Sequence, residues 1–152
     1  MQWIVYLAGE IHSDWRKQIA GGVEAAGLPV TLLGPVTDHD ASDDCGASIL
    51  GQEDEPFWKD RKAAGINAIR TRSLIAQSDI VVVQFGDKYR QWNAAFDAGI
   101  AATLGKPLIT LHGMDLNHAL KEVDCAAYAV ARSPQQVVEV LRYVTESPGI
   151  KL

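Results

Sequence analysis

The chain has 152 residues, 47% of them hydrophobic and 22% charged, with a formal net charge of −5. That length suits one domain with a substantial core and is short for two; the acidic balance gives no basic footprint for a nucleic-acid polymer or an anionic membrane surface. No apolar run approaches the ~20 residues that span a bilayer, the opening MQWIVYLAGE lacks the features of an export signal, and Cys45 and Cys125 have no metal-ligand spacing, so a cytoplasmic protein with reduced thiols is expected.

Residues 3–8, WIVYLA, predict a strand buried on both faces, and Gly9 opens its loop. Ser13 is the expected N-cap of a helix running towards Ala26, with Asp14 at the positive end of its dipole. Trp15, Ile19, Gly22, Val23 and Ala26 form one stripe of that helix, and Gly27 is its stop. Residues 28–33 read as a second strand reached by a right-handed crossover.

Residues 34–55, GPVTDHDASDDCGASILGQEDE, show no sustained period and read as a solvated acidic loop, with a pocket-covering flap as the alternative. Asp38, His39, Asp40, Asp43 and Asp44 match no metal-ligand template, and the Gly and Glu positions of an EF-hand are missing. Pro56 then opens a long helix over 57–77, with Ile66, Ile69, Ser73 and Ala76 on its inner stripe. Lys59, Arg61, Lys62, Arg70 and Arg72 form its basic face; Arg70 and Arg72 are alternatively anion or subunit contacts.

The strongest signal is the stretch 78–111, SDIVVVQFGDKYRQWNAAFDAGIAATLGKPLITL. It predicts a strand from Ile80 extended by Phe85, a loop over 86–91, a helix, a Gly-Lys-Pro turn and a strand over 108–111. Trp92, Ala95, Phe96, Gly99, Ile100, Thr103 and Leu104 form the expected sheet-facing stripe. Beyond it come a loop at 112–114, a short helix capped by Asp115 and running through Glu122, and a weak strand over 126–131. A helix from Ser133-Pro134 follows, with Val137, Val140, Leu141 and Val144 inside, and a polar tail from Glu146. Alternating strands and helices define a single doubly wound α/β domain, about five parallel strands in the flavodoxin-like order 2-1-3-4-5 with helices on both faces. Ligands of such sheets meet the loops after strands 1 and 3.

Asp97 is the leading candidate for chemistry. Its helical neighbours, Asn93, Ala94, Ile100 and Ala101, offer no cation, and a desolvated, unpaired carboxylate marks a functional site; a side chain reaching solvent or a neighbouring loop is the alternative. Asn93 shares its face and is either an orienting residue or a helix cap. Asp87, in the loop after strand 3, suits a polar ligand or a turn. Tyr6 needs a partner for its buried hydroxyl, either Asp97 or backbone. Glu10 and His12 follow Gly9 in the loop after strand 1 and are acid-base candidates or surface residues. Phe85, Trp92 and Trp15 wall a ring-stacking pocket or belong to the core. There is no G-x-G-x-x-G, G-x-x-x-x-G-K-[ST] or G-x-S-x-G signature, and no cofactor is expected.

YLAG at 6–9, SDIVVV at 78–83 and AAFDAGIAATLGKPLI at 94–109 resemble the nucleoside 2-deoxyribosyltransferase-like superfamily. More narrowly, the whole chain, with HDASDDCG at 39–46, looks like the YtoQ group of bacterial proteins. The resemblance implies a carboxylate on the helix after the third strand that attacks the anomeric carbon of a 2-deoxynucleoside, releasing the base and leaving a covalent glycosyl-enzyme. It places Asp97 in the nucleophile position, usually a glutamate, and Tyr6 in the orienting position. The companion aspartate of the family usually lies about six residues earlier, where this chain has Gln91; Asp87 lies ten residues before Asp97. The function so implied is an N-glycosidic-bond enzyme, transferase or hydrolase, for a small nucleoside- or nucleotide-like molecule. A non-catalytic nucleotide-like small-molecule binder or sensor is the alternative, and the resemblance also implies a homo-oligomer.

Overall fold

A computed structural model describes residues 1–88 and 91–146. Five parallel strands, β1 (Trp3–Gly9), β2 (Val30–Leu33), β3 (Ile80–Gln84), β4 (Leu108–Leu111) and β5 (Ala129–Ala131), lie in the order β2-β1-β3-β4-β5. Among the described residues six α-helices accompany them: α1 (Trp15–Ala25), α2 (His39–Leu50), α3 (Pro56–Gln77), α4 (Trp92–Thr103), α5 (Lys121–Cys125) and α6 (Pro134–Glu146). The expected strand order is therefore the observed one. β1 and β3 are adjacent, with Val5 opposite Ile80 and Gly9 opposite Gln84, so the loops that follow them open side by side at the switch point.

The pleat divides the core into two layers. Val5, Leu7, Ile80, Val82, Ile109 and Leu111 point one way, into Trp15, Ile19 and Val23 of α1 and Val137, Val138 and Leu141 of α6. Tyr6, Ala8, Val81, Val83 and Leu108 point the other way, into Ile75 of α3 and Ala94, Ala98 and Ala101 of α4. Gly22 sits where α1 crosses α6; a Cβ there would meet Val138 Cγ2 at 2.7 Å.

Several expectations are corrected. Residues 39–50, read as part of a loop, form α2. Asp38 caps it by accepting from the Ala41 N–H at 2.9 Å, and α2 packs along α3 as a helical hairpin. The close approach is set by Gly46, whose Cβ would run into the backbone of Lys62 and Ala63. The hairpin also pairs two of the acids that suggested a loop: Lys59 meets Asp44 at 2.7 Å, and Lys62 meets Glu53 and donates to the carbonyls of Leu50 and Gly51.

The α3 stripe is also displaced. Ala63 and Ile75 are buried, whereas Ser73 and Ala76 are exposed, as is Ile69. On α4 the phase is rotated, because the three alanines at i, i+4 and i+7 let the helix lie close on the sheet. Trp92 and Phe96, expected inside, are 71% and 66% exposed. Ser13 is not the cap of α1; Asp14 holds that position, and the Ser13 hydroxyl turns to Glu10. The short helix expected over 115–122 divides into a 3-10 turn at Met114–Leu116 and α5, and β5 covers only the end of the predicted 126–131. The tail over 147–152 and part of the loop after β3 lie outside the described residues.

Candidate active site

Tyr6 projects from the middle of β1 into the α3/α4 layer and is fully buried. Among the described residues its hydroxyl has no partner in full hydrogen-bond geometry, although the Thr71 side chain lies near enough to act on it. Burial raises its pKa, Thr71 on α3 opposes that shift, and the nearby Asp97 charge raises it further, so the phenol stays protonated at neutral pH. Asp97, half-buried on α4, has its pKa pushed up to about 6, first by desolvation, with the Arg16 charge pulling it back. The two residues are thus electrostatic neighbours, but neither of the expected hydrogen-bond partners of the Tyr6 hydroxyl, Asp97 or backbone, is found among the described residues.

Asp97 does have a cation nearby, on a different helix. Arg16 leaves the first turn of α1 and donates to three carbonyls of the turn after β1: Leu7 at 3.0 Å, Glu10 at 2.6 Å and Gly9 at 3.0 Å. Its guanidinium lies 4.4 Å from the ring centroid of Trp15. Burial lowers its pKa to about 10, while Tyr6, Glu10 and Asp97 act on it in the opposite sense. Sequence reading passed over Arg16, though one signal was available: a cation in a helix's first turn faces the positive end of the dipole and needs a separate reason to be there.

Asp97 lines a cleft of about 570 Å³ between α2, α3 and α4. Asn93 and Phe96 share its wall with Asp97. The opposite wall brings Ser42 and Asp43 from α2 and Asp60, Arg61, Asn67 and Thr71 from α3. Asn67 is itself held by the Ser42 carbonyl at 3.0 Å. None of the α2 and α3 residues was a sequence candidate for this site, because the helical hairpin that carries them was half hidden in an apparent loop.

The other candidates lie across the switch point. Gly9 has φ +98 and stands against the Gln84 backbone, where any Cβ would collide; Glu10 N–H then donates to the Gln84 carbonyl at 3.1 Å. Glu10 is 5% exposed, and its carboxylate accepts from the His12 N–H and the Ser13 hydroxyl. The His12 side chain is exposed. Phe85, Asp87 and Trp92 border a second cleft of about 590 Å³ with Leu116, Leu120 and Val123. Trp92 therefore faces a different opening from its helical neighbour Asn93, and Asp87 does not line the Asp97 cleft. Trp15 is buried in the core of the other layer, its Nε1 donating to the Glu10 carbonyl at 2.8 Å.

A further polar group ends β4. His112, buried, reaches Asp124 Oδ2 at 3.0 Å, and Thr110 donates to Asp124 Oδ1 at 2.7 Å. It ties β4 to α5 and was not anticipated. Among the described residues, no group of three or more His, Cys, Asp or Glu could hold a metal ion, and no helix is long and apolar enough to cross a membrane.

A parallel sheet in this order, with helices on both faces, defines a doubly wound α/β protein of the flavodoxin-like strand order. Residues 6–145 match the family described as Nucleoside 2-deoxyribosyltransferase YtoQ, and the chain belongs to that family. It is 43% identical over 147 residues to the Uncharacterized protein YtoQ of Bacillus subtilis (strain 168), covering 97% of this chain and 99% of the relative. Among solved structures, a 2-deoxyribosyltransferase from Bacillus psychrosaccharolyticus superposes with a TM-score of 0.54 at 17% identity, over 91% of this chain and 95% of that one. The CMP N-glycosidase BcmB of Clostridium botulinum superposes with a TM-score of 0.53 at 13% identity, over 93% and 98% of the two chains. At those identities the likeness is one of fold.

Proposed function

We propose that this chain, as one nucleoside 2-deoxyribosyltransferase-like domain, breaks N-glycosidic bonds of small nucleoside- or nucleotide-like molecules, with Asp97 acting at the anomeric carbon. The observation that carries this is the cleft-lining Asp97 carboxyl, pushed up to about 6 by desolvation and lying close enough to the buried Tyr6 hydroxyl for their charges to interact. A carboxylate freed of water is a better nucleophile and a stronger stabiliser of an oxocarbenium-like centre than a hydrated one. One Asp97 oxygen bonds to the anomeric carbon, and the C–N bonding pair leaves with the base, whose nitrogen takes up a proton. Water or a second base then displaces the carboxylate. Tyr6 supplies a protonated hydroxyl to orient Asp97, Asn93 and Asn67 meet sugar hydroxyls, and Asp87, Trp92 and Phe85 meet the ligand from the adjacent opening.

Membership of the family and the fold shared with a deoxyribosyltransferase and a CMP N-glycosidase support this reading. The same reading takes the chain as a cytoplasmic homo-oligomer; Ile69 and Phe96, 70% and 66% exposed beside the cleft, support the assembly. Incubation with a panel of deoxynucleosides and deoxynucleotides is expected to release free base, followed by chromatography, and Asp97→Ala to abolish the release. No base from any member of the panel would sink the proposal.

A further inference from the structure

Asn67 stands in the middle of α3, where asparagine is a poor helix former. The hairpin accounts for one end of its side chain. Nδ2 donates to the Ser42 carbonyl at 3.0 Å and to the Ser42 hydroxyl at 3.2 Å, with Cys45 Sγ at 3.8 Å. A backbone carbonyl can only accept, so the amide must present its NH2 end to α2; turning it over would set Oδ1 against that carbonyl. Both N–H groups thus have acceptors on α2. The other end, Oδ1, has no donor among the described residues. Asn67 lines the Asp97 cleft, and with its nitrogen spent on α2 the carbonyl is the polar atom it has left to offer there. Its neighbours on that wall, Ala63, Ala64 and Ala68, offer only methyl groups, and Thr71, one turn further on, lies beside Tyr6.

Resting on the N-glycosidic reading for the choice of cleft, we propose that Asn67 is a specificity-determining residue: its side-chain carbonyl, aimed by α2, accepts a hydrogen bond from a sugar hydroxyl and selects ligands that can donate one there. The bond runs from ligand to protein. An ether, a fluorine or any other acceptor-only group in that place sets lone pair against lone pair and leaves the carbonyl desolvated without a partner. Because Ser42 orients the amide, the polarity of this wall belongs to the pairing of α2 with α3 and not to Asn67 alone.

The full chain is tested with 2′-deoxyadenosine and 2′-deoxycytidine, each against analogues whose 3′- or 5′-hydroxyl is replaced by fluorine, which keeps lone pairs and adds no bulk but cannot donate. Calorimetry reads binding and chromatography reads base release. At one of the two positions the wild type favours the hydroxyl by at least about tenfold, because a site built for a donor rejects the analogue lacking it. Asn67→Ala narrows that ratio at least about fivefold and leaves the other position unchanged. A merely structural role would lower all affinities together and leave both ratios as they were. No preference at either position in the wild type, or a ratio unmoved by Asn67→Ala, overturns the proposal. A second measurement needs no variant. When the nucleoside is added, the Asn67 side-chain NH2 resonances stay in place while its carbonyl carbon shifts; an NH2 pair that moves shows the donors facing the ligand and overturns the proposal too. Preference in binding without base release sinks the N-glycosidic reading and leaves Asn67 in its role, and base release without preference does the reverse. If neither nucleoside binds, both fall.

Discussion

At the scale of single residues, Asp97 couples function to stability through its pKa. The carboxyl ionises near 3.8 when unfolded and near 6 when folded, so the folded state holds its proton longer. Below the lower value Asp97 is protonated in both states and carries no penalty. As pH rises through the window from 3.8 to about 6 the penalty grows, and above it the penalty is complete. At 1.36 kcal/mol per unit the upper bound is about 3 kcal/mol, and the water that reaches a half-buried group brings it to about 1–2 kcal/mol. Asp97→Asn is therefore expected to raise the melting temperature at pH 7.5 and to have much less effect at pH 4.5, as read by thermal unfolding at both values. A gain independent of pH would point to packing instead of charge. The sequence announced Asp97 because its helical neighbours are apolar or amide. It did not announce Arg16, whose relation to Asp97 exists only once α1 and α4 meet the sheet from opposite faces near its carboxyl edge.

At the scale of elements, size proved a poorer guide to burial than fit. The α4 stripe was read from its large apolar residues, and the sheet instead takes Ala94, Ala98 and Ala101, leaving Trp92 and Phe96 outside. Period and composition identified that helix; its phase depended on how closely it approaches β1 and β3, which no local pattern states. The α1 face was legible because its large residues, Trp15 and Ile19, are also the buried ones. The α6 face was legible only in part: Val137 and Leu141 are buried as expected, but Val144 is exposed and Val138 is buried in its stead. The α2 helix escaped notice because its sequence is rich in Asp, Ser and Gly, poor helix formers in isolation. Its stability comes from the Asp38 cap, the lysines of α3 and the close contact at Gly46. Gly46→Ala is expected to force the hairpin apart and cost about 1–3 kcal/mol in denaturant unfolding. Gly21→Ala on α1, where an added Cβ meets nothing within 4 Å, is expected to be stabilising by about 0.5–1 kcal/mol. Equal effects at the two positions would contradict the packing described at Gly46.

At the scale of the whole molecule, the two layers are unequal. The α1/α6 layer is built on large aliphatic side chains and Trp15, whereas the α3/α4 layer holds the cleft and presents Phe57, Trp58, Ile69, Trp92 and Phe96 to solvent. Tyr128 and Tyr143 are exposed elsewhere, but the side chains of the α3/α4 layer lie beside the cleft, and exposed apolar groups of this kind suit an association surface. If the inferred homo-oligomer forms through this layer, Ile69→Glu will lower the mass seen by light scattering while leaving the far-ultraviolet circular dichroism unchanged. A monomeric wild type would exclude the assembly. Fold and strand order were readable from the alternation of apolar runs and helical periods, since a parallel sheet buried on both faces leaves few other arrangements. The cleft was not, because its second wall comes from residues 42–71, whose helices had to be paired before their side chains could be placed.

That second wall has a kinetic side. α2 leans chiefly on α3, so the segment carrying Ser42 and Asp43 is held by a hairpin's own free energy and not by the sheet. Such a unit can open well before the molecule unfolds. The aperture of the cleft, and with it the residence time of whatever occupies it, is then set by the contact at Gly46 and the Lys59 and Lys62 pairings, more than ten residues away in sequence from Asp97. The Gly46→Ala variant would accordingly register in the ligand off-rate as well as in denaturant.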